Sequence, residues 1–244
     1  HLVIIAVPSD RFRQNVKRIR DCVPAGAIIL SVAKGLELPA GKRMSQVLEE
    51  ELAPELHPGI CVLSGPNFAK EILQGKPAST VVAGQEPGKT EEAQAILMSS
   101  SFRVYTSDDV VGVELGGALK NVIALGAGIA DGLGVGDNGK AALITRGLAE
   151  ITRLGVAAGA QPLTFAGLAG LGDLVATCAS PLSRNRYVGE QLARGKTWPE
   201  IRRSMTNVAE GVNATGAALA LANKLDVEMP ITQLTYRVLF DGLP

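Results

Sequence analysis

The stretch VVGVELGGALKNVIALGAGIA, residues 110–130, is almost wholly apolar and carries one cation, Lys120, near its middle. A helix of this length spans roughly 30 Å, about the diameter of a small domain. Thr106 and Ser107 offer an N-cap, and the two aspartates that follow fall in the first turn, where negative charge is favoured. The pattern therefore predicts one long helix that runs through the protein.

The glycines of this helix indicate a close approach to its backbone. Gly112, Gly116 and Gly117 would each cost about 1 kcal/mol relative to alanine, so another helix or a ligand is expected to lie against them. Gly116, Lys120 and Ala124 share one face, which places Lys120 in a cleft lined by small residues. An ammonium group there must be paired, or its pKa falls. A lysine that changes protonation readily suits proton transfer.

Two other interpretations of this helix stay open on local grounds. Its length and the Gly112-xxx-Gly116 pair fit a membrane-spanning helix, but Glu114, Lys120 and Asn121 interrupt the apolar run, so we expect no membrane span. The second interpretation is a buried core helix whose lysine extends to the surface.

The composition narrows the classes of protein. The chain has 244 residues, 46% of them hydrophobic, and a formal net charge of zero. This size allows one large or two ordinary domains, and the charge gives no sign of a nucleic-acid partner. Three widely separated cysteines and no visible secretory signal indicate reduced thiols in a cytoplasmic protein. With His1 and His57 as the only histidines, we predict neither a histidine metal site nor a Ser-His-Asp triad.

Residues 1–107 alternate strand-like and helix-like patterns. Strands are predicted at residues 1–7, 27–33, 61–65, 78–84 and 102–107. Helices are predicted between them at residues 10–20, 41–55, 67–73 and 89–98. This alternation favours a largely parallel sheet covered by helices, with ligands beyond the carboxyl ends of the strands. The loops at those ends are residues 7–9, 34–37 and 64–67.

Residues 108–244 lose the strand patterns. Helices are predicted at residues 138–158, 163–168, 174–178, 186–193, 198–205, 209–223 and 231–240. The sequence thus predicts an α/β domain over residues 1–107, followed by an all-α domain over residues 108–244. Lys120 would face the cleft between them.

Several loops carry polar groups that suit a ligand. Ser64-Gly65-Pro66-Asn67 permits close backbone approach before a helix N-terminus, which makes an anion site or a plain turn. Residues 183–186, SRNR, start a helix with hydroxyl, guanidinium and amide groups, a good set for phosphate or an ordinary capped helix start. Asp173 could be a ligand or an N-cap, and Glu210 could accept ribose hydroxyls or merely favour a first helical turn.

Taken together, a series of stretches carries a resemblance. They are AVPS (6–9), AKGLE (33–37), LSGPNFAKE (63–71), SFRVYTS (101–107), LGGALKNVIALGAGIADGLGVGDNGKAALITRGLAE (115–150), AGLGDLVATC (169–178), SRNR (183–186), VAEG (208–211) and VEMPIT (227–232). In order and spacing they resemble the bacterial-type NAD(P)-dependent glycerol-3-phosphate dehydrogenases over essentially the whole chain. The resemblance implies a Rossmann-like N-terminal domain, incomplete at its start, and an all-α C-terminal domain.

The resemblance also implies roles for individual residues. Lys120 matches the catalytic lysine, which protonates the C2 oxygen of dihydroxyacetone phosphate as hydride arrives and removes that proton in reverse. The positions that match substrate contacts are Lys34, Gly65, Asn67, Lys120, Asp173, Ser183, Arg184 and Asn185. The positions that match contacts to NAD or NADP are Lys34, Ala69, Arg184, Val208 and Glu210. The family implies a cytoplasmic homodimer that supplies glycerol 3-phosphate for phospholipid synthesis.

The chain departs from the family pattern in three places. No Gly-x-Gly-x-x-Gly follows a predicted strand, so we expect that loop, and the residues that choose NAD or NADP, to precede His1. The chain stops at Pro244, short of the usual C-terminal helix, and Asn67 stands where the family often has Ser or Thr.

Two alternatives follow from these observations. One is a related β-hydroxyacid dehydrogenase of the 6-phosphogluconate or hydroxyisobutyrate type, although those enzymes lack SGPNFAKE and ALITRGLAE. The other is a non-catalytic fragment or homologue that has lost the nucleotide-binding half. Ordered cofactor or phosphate between residues 64–67 and 183–185 would separate an enzyme from such a scaffold.

Overall fold

The computed structural model describes residues 1–205 and 208–243, so Thr206, Asn207 and Pro244 lie outside the described residues. The strands are β1 Leu2–Ile5, β2 Ile28–Ser31, β3 Ile60–Ser64, β4 Ala78–Gly84 and β5 Phe102–Ser107. The helices of the first part are α1 Phe12–Ile19, α2 Met44–Glu51, α3 Ala69–Leu73 and α4 Pro87–Leu97. Those of the second part are α5 Val110–Gly132, α6 Gly136–Ala157, α7 Pro162–Ala166, α8 Asp173–Ala179, α9 Arg184–Ala193, α10 Trp198–Ser204, α11 Glu210–Leu225 and α12 Pro230–Phe240.

The five strands form one mixed sheet in the order β1-β2-β3-β4-β5. The pairs β1–β2, β2–β3 and β4–β5 are parallel, as the sequence predicts, but β3 and β4 are antiparallel. A parallel connection needs a crossover long enough to return the chain to the starting edge. The five-residue helix α3 is too short for that, so β4 turns back beside β3.

Helices cover both faces of this sheet. On one face Ile5, Ile29 and Ile60 pack with Phe12 of α1 and Leu48 of α2. A second cluster on the other face combines β2, β3, β4 and β5 with α4. These contacts confirm the predicted α/β arrangement and leave the carboxyl ends of β2 and β3 pointing toward α5.

Helix α5 is the core of the second part of the chain. It packs against α6, α8, α9 and α11 and also contacts β3. It is long and apolar enough to cross a membrane, but 89% of its most apolar 18-residue window is buried inside the fold. The interpretation as a core helix therefore describes α5 better than a membrane span does.

The cap of α5 differs from the expectation. Ser107 ends β5, and the N-cap is Asp109, whose carboxylate accepts hydrogen bonds from the Gly112 N–H at 2.8 Å, the Gln161 N–H at 2.9 Å and the Thr164 hydroxyl at 2.6 Å. The predicted Thr106–Ser107 cap is wrong because Asp109 reaches the free N–H group and at the same time holds the start of α7.

Glycines bring other backbones against α5, as predicted. A Cβ atom on Gly116 would lie 2.7 Å from the Ala169 carbonyl oxygen, and one on Gly117 would overlap the Ser64 hydroxyl. Further along, Gly128 and Gly189 face each other where α5 crosses α9. Side chains at these positions would push α5 away from the elements it contacts.

We predict that Gly128→Ala destabilises the fold by about 1–3 kcal/mol, because the added methyl group would overlap the Arg186 backbone. Gly126→Ala is a matched control on the same helix, since its Cβ atom would meet Leu143 at 3.7 Å, an ordinary contact. Alanine there is expected to be neutral or stabilising by up to about 1 kcal/mol. Urea unfolding of both variants checks this, and equal stabilities would contradict the close crossing.

Candidate active site

Lys120 lies in the middle of α5 and is 6% exposed. Its Nζ atom donates to Asp173 Oδ1 at 2.5 Å and to the Thr177 hydroxyl at 2.6 Å. Asp173 is the first residue of α8 and follows a short π-helix, Leu168–Gly172. The helix therefore does not carry its lysine to the surface; a carboxylate meets the ammonium inside the protein.

The same carboxylate holds a second lysine. Lys34, just after β2, donates from Nζ to Asp173 Oδ2 at 2.7 Å and to the Gly65 carbonyl oxygen at 2.7 Å. Asp173 is 2% exposed and makes no side-chain cap bond, so the interpretation of Asp173 as an N-cap is wrong. The two lysines and Asp173, the lysine–aspartate cluster, join the ends of β2 and β3 to α5 and α8.

The surroundings of Lys120 change its acidity. Burial, and after it the nearby positive charge of Lys34, lower its pKa to about 8, although Asp173 partly opposes the shift. The buried Cys178 thiol also faces Lys120, and its own pKa is raised to about 12 by burial. A lysine with a pKa near 8 can both donate and accept a proton close to neutral pH.

Two asparagines extend the cluster. Asn121 donates to the Lys34 carbonyl oxygen at 3.1 Å and accepts from Asn185 Nδ2 at 2.8 Å. Asn185 Oδ1 in turn accepts from the Gly211 N–H at 3.0 Å. This chain of bonds connects the end of β2 with α5, α9 and α11.

Sequence reasoning missed Asn121 and Thr177 as members of the site. Thr177 follows Asp173 by four residues, the spacing that puts two side chains on one helix face, so that signal was available. Asn121 follows Lys120 directly, but its partners lie 87 and 64 residues away, and spacing alone does not reveal them.

The start of α9 presents the predicted SRNR residues. Ser183 is the N-cap, and its hydroxyl oxygen accepts from the Arg186 N–H at 3.2 Å, which leaves its own hydrogen free to donate. Arg184 is exposed, whereas Asn185 is buried in the asparagine chain. The three residues therefore meet at one helix N-terminus but face different neighbours.

Buried polar atoms without a protein partner lie at the end of β3. Asn67 donates to the Ser79 carbonyl oxygen at 3.1 Å, but its Oδ1 atom and the Ser64 hydroxyl have no hydrogen-bond partner among the described residues. A Cβ atom on Gly65 would lie 2.9 Å from Thr80 Cα, so glycine is needed for this close packing. Unpaired buried polar atoms beside Lys34 are suited to a polar ligand.

A second contact joins the two parts of the chain. The Ser9 hydroxyl and N–H donate to the Glu210 carboxylate at 2.5 and 3.1 Å. A side chain on Gly35 would overlap both groups. Burial raises the pKa of Glu210, while Ser9 and the charge of Arg184 oppose that shift. The stretches AVPS, AKGLE and VAEG thus come together.

The remaining predicted positions lie at the rim. Ala69 is exposed at the start of α3, which begins two residues later than expected, and Val208 is half-buried before α11. Neither belongs to the lysine–aspartate cluster. In the described part of the chain, no group of three His, Cys, Asp or Glu residues is placed to hold a metal ion.

Comparisons with known proteins assign the chain to a family. A model described as NAD-dependent glycerol-3-phosphate dehydrogenase N-terminus matches residues 1–90, and the corresponding C-terminus model matches residues 109–244. The chain belongs to the NAD-dependent glycerol-3-phosphate dehydrogenase family. This membership decides against the 6-phosphogluconate-type alternative.

Individual relatives agree with this assignment. The chain is 53% identical to a glycerol-3-phosphate dehydrogenase (NAD(P)+) of Dehalococcoides mccartyi, with 99% of this chain and 67% of the relative covered. A second, from Anaeromyxobacter dehalogenans, is 53% identical with 99% and 73% covered. The crystal structure of glycerol-3-phosphate dehydrogenase from Coxiella burnetii superposes with a TM-score of 0.93 at 37% identity, covering 99% of this chain and 73% of that one. The fold class is thereby confirmed.

The lowered pKa of Lys120 predicts a pH-dependent stability. Because the pKa is 10.5 for an ordinary lysine and about 8 in the fold, the unfolded chain binds more protons between these values. The contribution of Lys120 to the free energy of unfolding therefore rises with pH in this window, by up to about 1.4 kcal/mol per pH unit.

Lys120→Met removes this titration and serves as the comparison. Urea unfolding of both proteins from about pH 7.5 to about pH 9.5 should show the wild type gaining stability relative to the variant. Parallel stability curves would mean that Lys120 titrates like an exposed lysine.

Proposed function

We propose that this chain interconverts dihydroxyacetone phosphate and sn-glycerol 3-phosphate with NAD(P) as the hydride carrier. Family membership supports the reaction, and one observation supports the chemistry: Lys120 is buried, paired with Asp173 and has a pKa near 8. We further propose that residues 1–107 form the nucleotide-binding domain and residues 108–244 the substrate-binding domain.

In this proposal Lys120 is the general acid and base. Its ammonium group donates a proton to the C2 oxygen of the ketone as a hydride reaches C2, and in the reverse direction the neutral amine accepts that proton. The bound nicotinamide cofactor supplies or accepts the hydride. Asp173 and Thr177 hold the Lys120 Nζ atom at 2.5 and 2.6 Å, which fixes the direction of proton transfer.

The substrate phosphate is assigned to the start of α9. Arg184 offers an exposed guanidinium, Ser183 a free hydroxyl hydrogen and α9 its N-terminal N–H groups, a combination that favours a phosphate. Lys34, Gly65, Asn67, Asp173 and Asn185 complete the substrate contacts in this proposal. The unpaired Asn67 Oδ1 and Ser64 hydroxyl support a polar ligand beside Lys34.

The cofactor would be held by Lys34, Ala69, Arg184, Val208 and Glu210. Ser9 and Glu210 pack so closely on Gly35 that a side chain there would overlap both, which holds the Glu210 carboxylate at the contact between the two parts of the chain. The Glu210 carboxylate is an acceptor that suits a ribose hydroxyl. Either NAD or NADP is compatible with these groups.

We also propose a cytoplasmic homodimer that supplies glycerol 3-phosphate for phospholipid synthesis. The support for a dimer is the family resemblance together with an apolar groove between α5, α6 and α12, where Leu133 is 65% and Leu234 52% exposed. Light scattering of the purified protein tests the oligomeric state.

The reaction is tested with the gene product that contains this chain. Oxidation of NADH and of NADPH is followed separately with dihydroxyacetone phosphate, and we expect turnover with at least one of them. A folded protein that turns over neither would favour the alternative of a non-catalytic homologue.

Replacing Lys120 by alanine should lower kcat by about 100- to 10,000-fold, because the proton donor is lost. Lys89→Ala is the matched control, since Lys89 bonds the Gly26 carbonyl oxygen on the surface of the first part of the chain. Steady-state kinetics of both variants, with circular dichroism to verify folding, measure the difference. Activity of Lys120→Ala within a few-fold of the wild type would assign the proton donor elsewhere.

A further inference from the structure

Helix α5 also carries a buried carboxylate, Glu114, which takes no part in the mechanism above. The Glu114 side chain is 6% exposed and accepts hydrogen bonds from the Ser45 N–H at 2.8 Å, the Ser45 hydroxyl at 2.5 Å and Arg43 Nη1 at 2.8 Å. Arg43 is the N-cap of α2 and Ser45 its second residue. Because a helix N-terminus carries free N–H groups and partial positive charge, Glu114 binds the start of α2 firmly to α5.

Glu114 shares a face of α5 with the asparagine that holds Lys34. Glu114 and Asn121 are seven residues apart, close to two helical turns, so both project to the same side. Asn121 holds the Lys34 carbonyl oxygen at 3.1 Å, while Glu114 holds Arg43. Helix α5 thus forms hydrogen bonds with both ends of the segment of residues 34–43.

The middle of this α5 face has no side chain. Gly117 lies between Glu114 and Asn121, and a Cβ atom there would come within 3.5 Å of Lys34 Cγ. The stem of Lys34 therefore lies directly against the α5 backbone. Its position depends on how closely the segment is drawn onto the helix.

The segment itself is compact. The Glu37 N–H donates to the Lys42 carbonyl oxygen at 2.8 Å, and the Gly41 N–H donates to the Glu37 carbonyl oxygen at 2.9 Å. Leu36 is 2% exposed and packs into the helical core. A compact segment transmits a shift at Arg43 to Lys34 rather than absorbing it.

We propose that Glu114 is a positioning residue for the reaction: by clamping the end of the segment 34–43 onto α5, it sets where the Lys34 ammonium lies relative to Asp173 and Lys120. It acts through Lys34 and contacts neither substrate nor cofactor. The inference rests on the proposed function.

The pH dependence of turnover distinguishes a positioning role of Glu114 from a purely structural one. The charged or titratable groups that face Lys120 are Lys34, Asp173 and Cys178. The positive charge of Lys34 lowers the pKa of Lys120, so a displaced Lys34 would let that pKa rise. Reduction of dihydroxyacetone phosphate needs protonated Lys120, so its rate falls at high pH where Lys120 loses its proton. The pH of this fall, the alkaline limit, would therefore move upward if Lys34 were displaced.

The test compares Glu114→Gln with Glu150→Gln. Glu150 is 1% exposed and accepts from the Ile231 N–H, the Thr232 N–H and the Thr232 hydroxyl at the start of α12, so it is a carboxylate of the same kind away from the segment. For Glu114→Gln we expect kcat/KM for dihydroxyacetone phosphate to fall about 10- to 100-fold and the alkaline limit to rise by roughly half a pH unit or more. For Glu150→Gln we expect lost stability with an unmoved alkaline limit.

Two further variants test the same positioning role: a substitution that removes only one hydrogen bond to Glu114, and a double substitution that includes Lys34. Ser45→Ala removes one donor to Glu114 and should give a partial shift in the same direction, which provides the test if Glu114→Gln does not fold. In a Lys34→Met background, Glu114→Gln should leave the alkaline limit where Lys34→Met alone places it, because the two residues act as a unit.

An active wild type in which Glu114→Gln and Ser45→Ala keep the wild-type alkaline limit would overturn the positioning role. A further shift from Glu114→Gln in the Lys34→Met background would also overturn it. A folded wild type without turnover of dihydroxyacetone phosphate would instead remove the proposed function.

Discussion

A buried ammonium on an otherwise apolar helix must find a counter-charge, and this need organises the molecule. Lys120 is enclosed by α5 and its neighbours, and Asp173 meets it at 2.5 Å. The same carboxylate bonds Lys34, so the α/β part and the helical part of the chain share one ion cluster. Because an unpaired charge in this position would be costly, the fold and the site are stabilised together.

Small residues allow this cluster to form. Gly116 and Gly117 let a turn and the end of β3 approach the α5 backbone, so Lys34 and Asp173 reach Lys120 from two directions. Further along the helix, Gly128 allows α9 to cross closely, and α9 carries the groups assigned to the phosphate. The glycines cost helix propensity but bring the reacting groups together.

The positions of several strands and helices could be predicted because they depend on the local pattern of apolar and polar residues. The strands at residues 78–84 and 102–107 and the start of α5 are as expected, and Lys120 was recognised from its apolar surroundings. The largely parallel sheet is as expected, but the pattern does not reveal which pair is antiparallel, because strand direction depends on the length of the connection between β3 and β4. The hydrogen bonds of Asn121 and Glu114 could not be predicted, because their partners are distant in the chain.

Because Lys120 moves the proton in this mechanism, chemical rescue of a variant without the lysine probes the proton transfer itself. In Lys120→Ala the lost ammonium leaves a space that a small alkylammonium ion can enter. We expect added alkylamines to restore reduction of dihydroxyacetone phosphate, with a rate that depends on the pKa of the amine, as general acid catalysis requires. A folded variant that binds substrate but is not rescued by any amine would mean that a group other than Lys120 moves the proton.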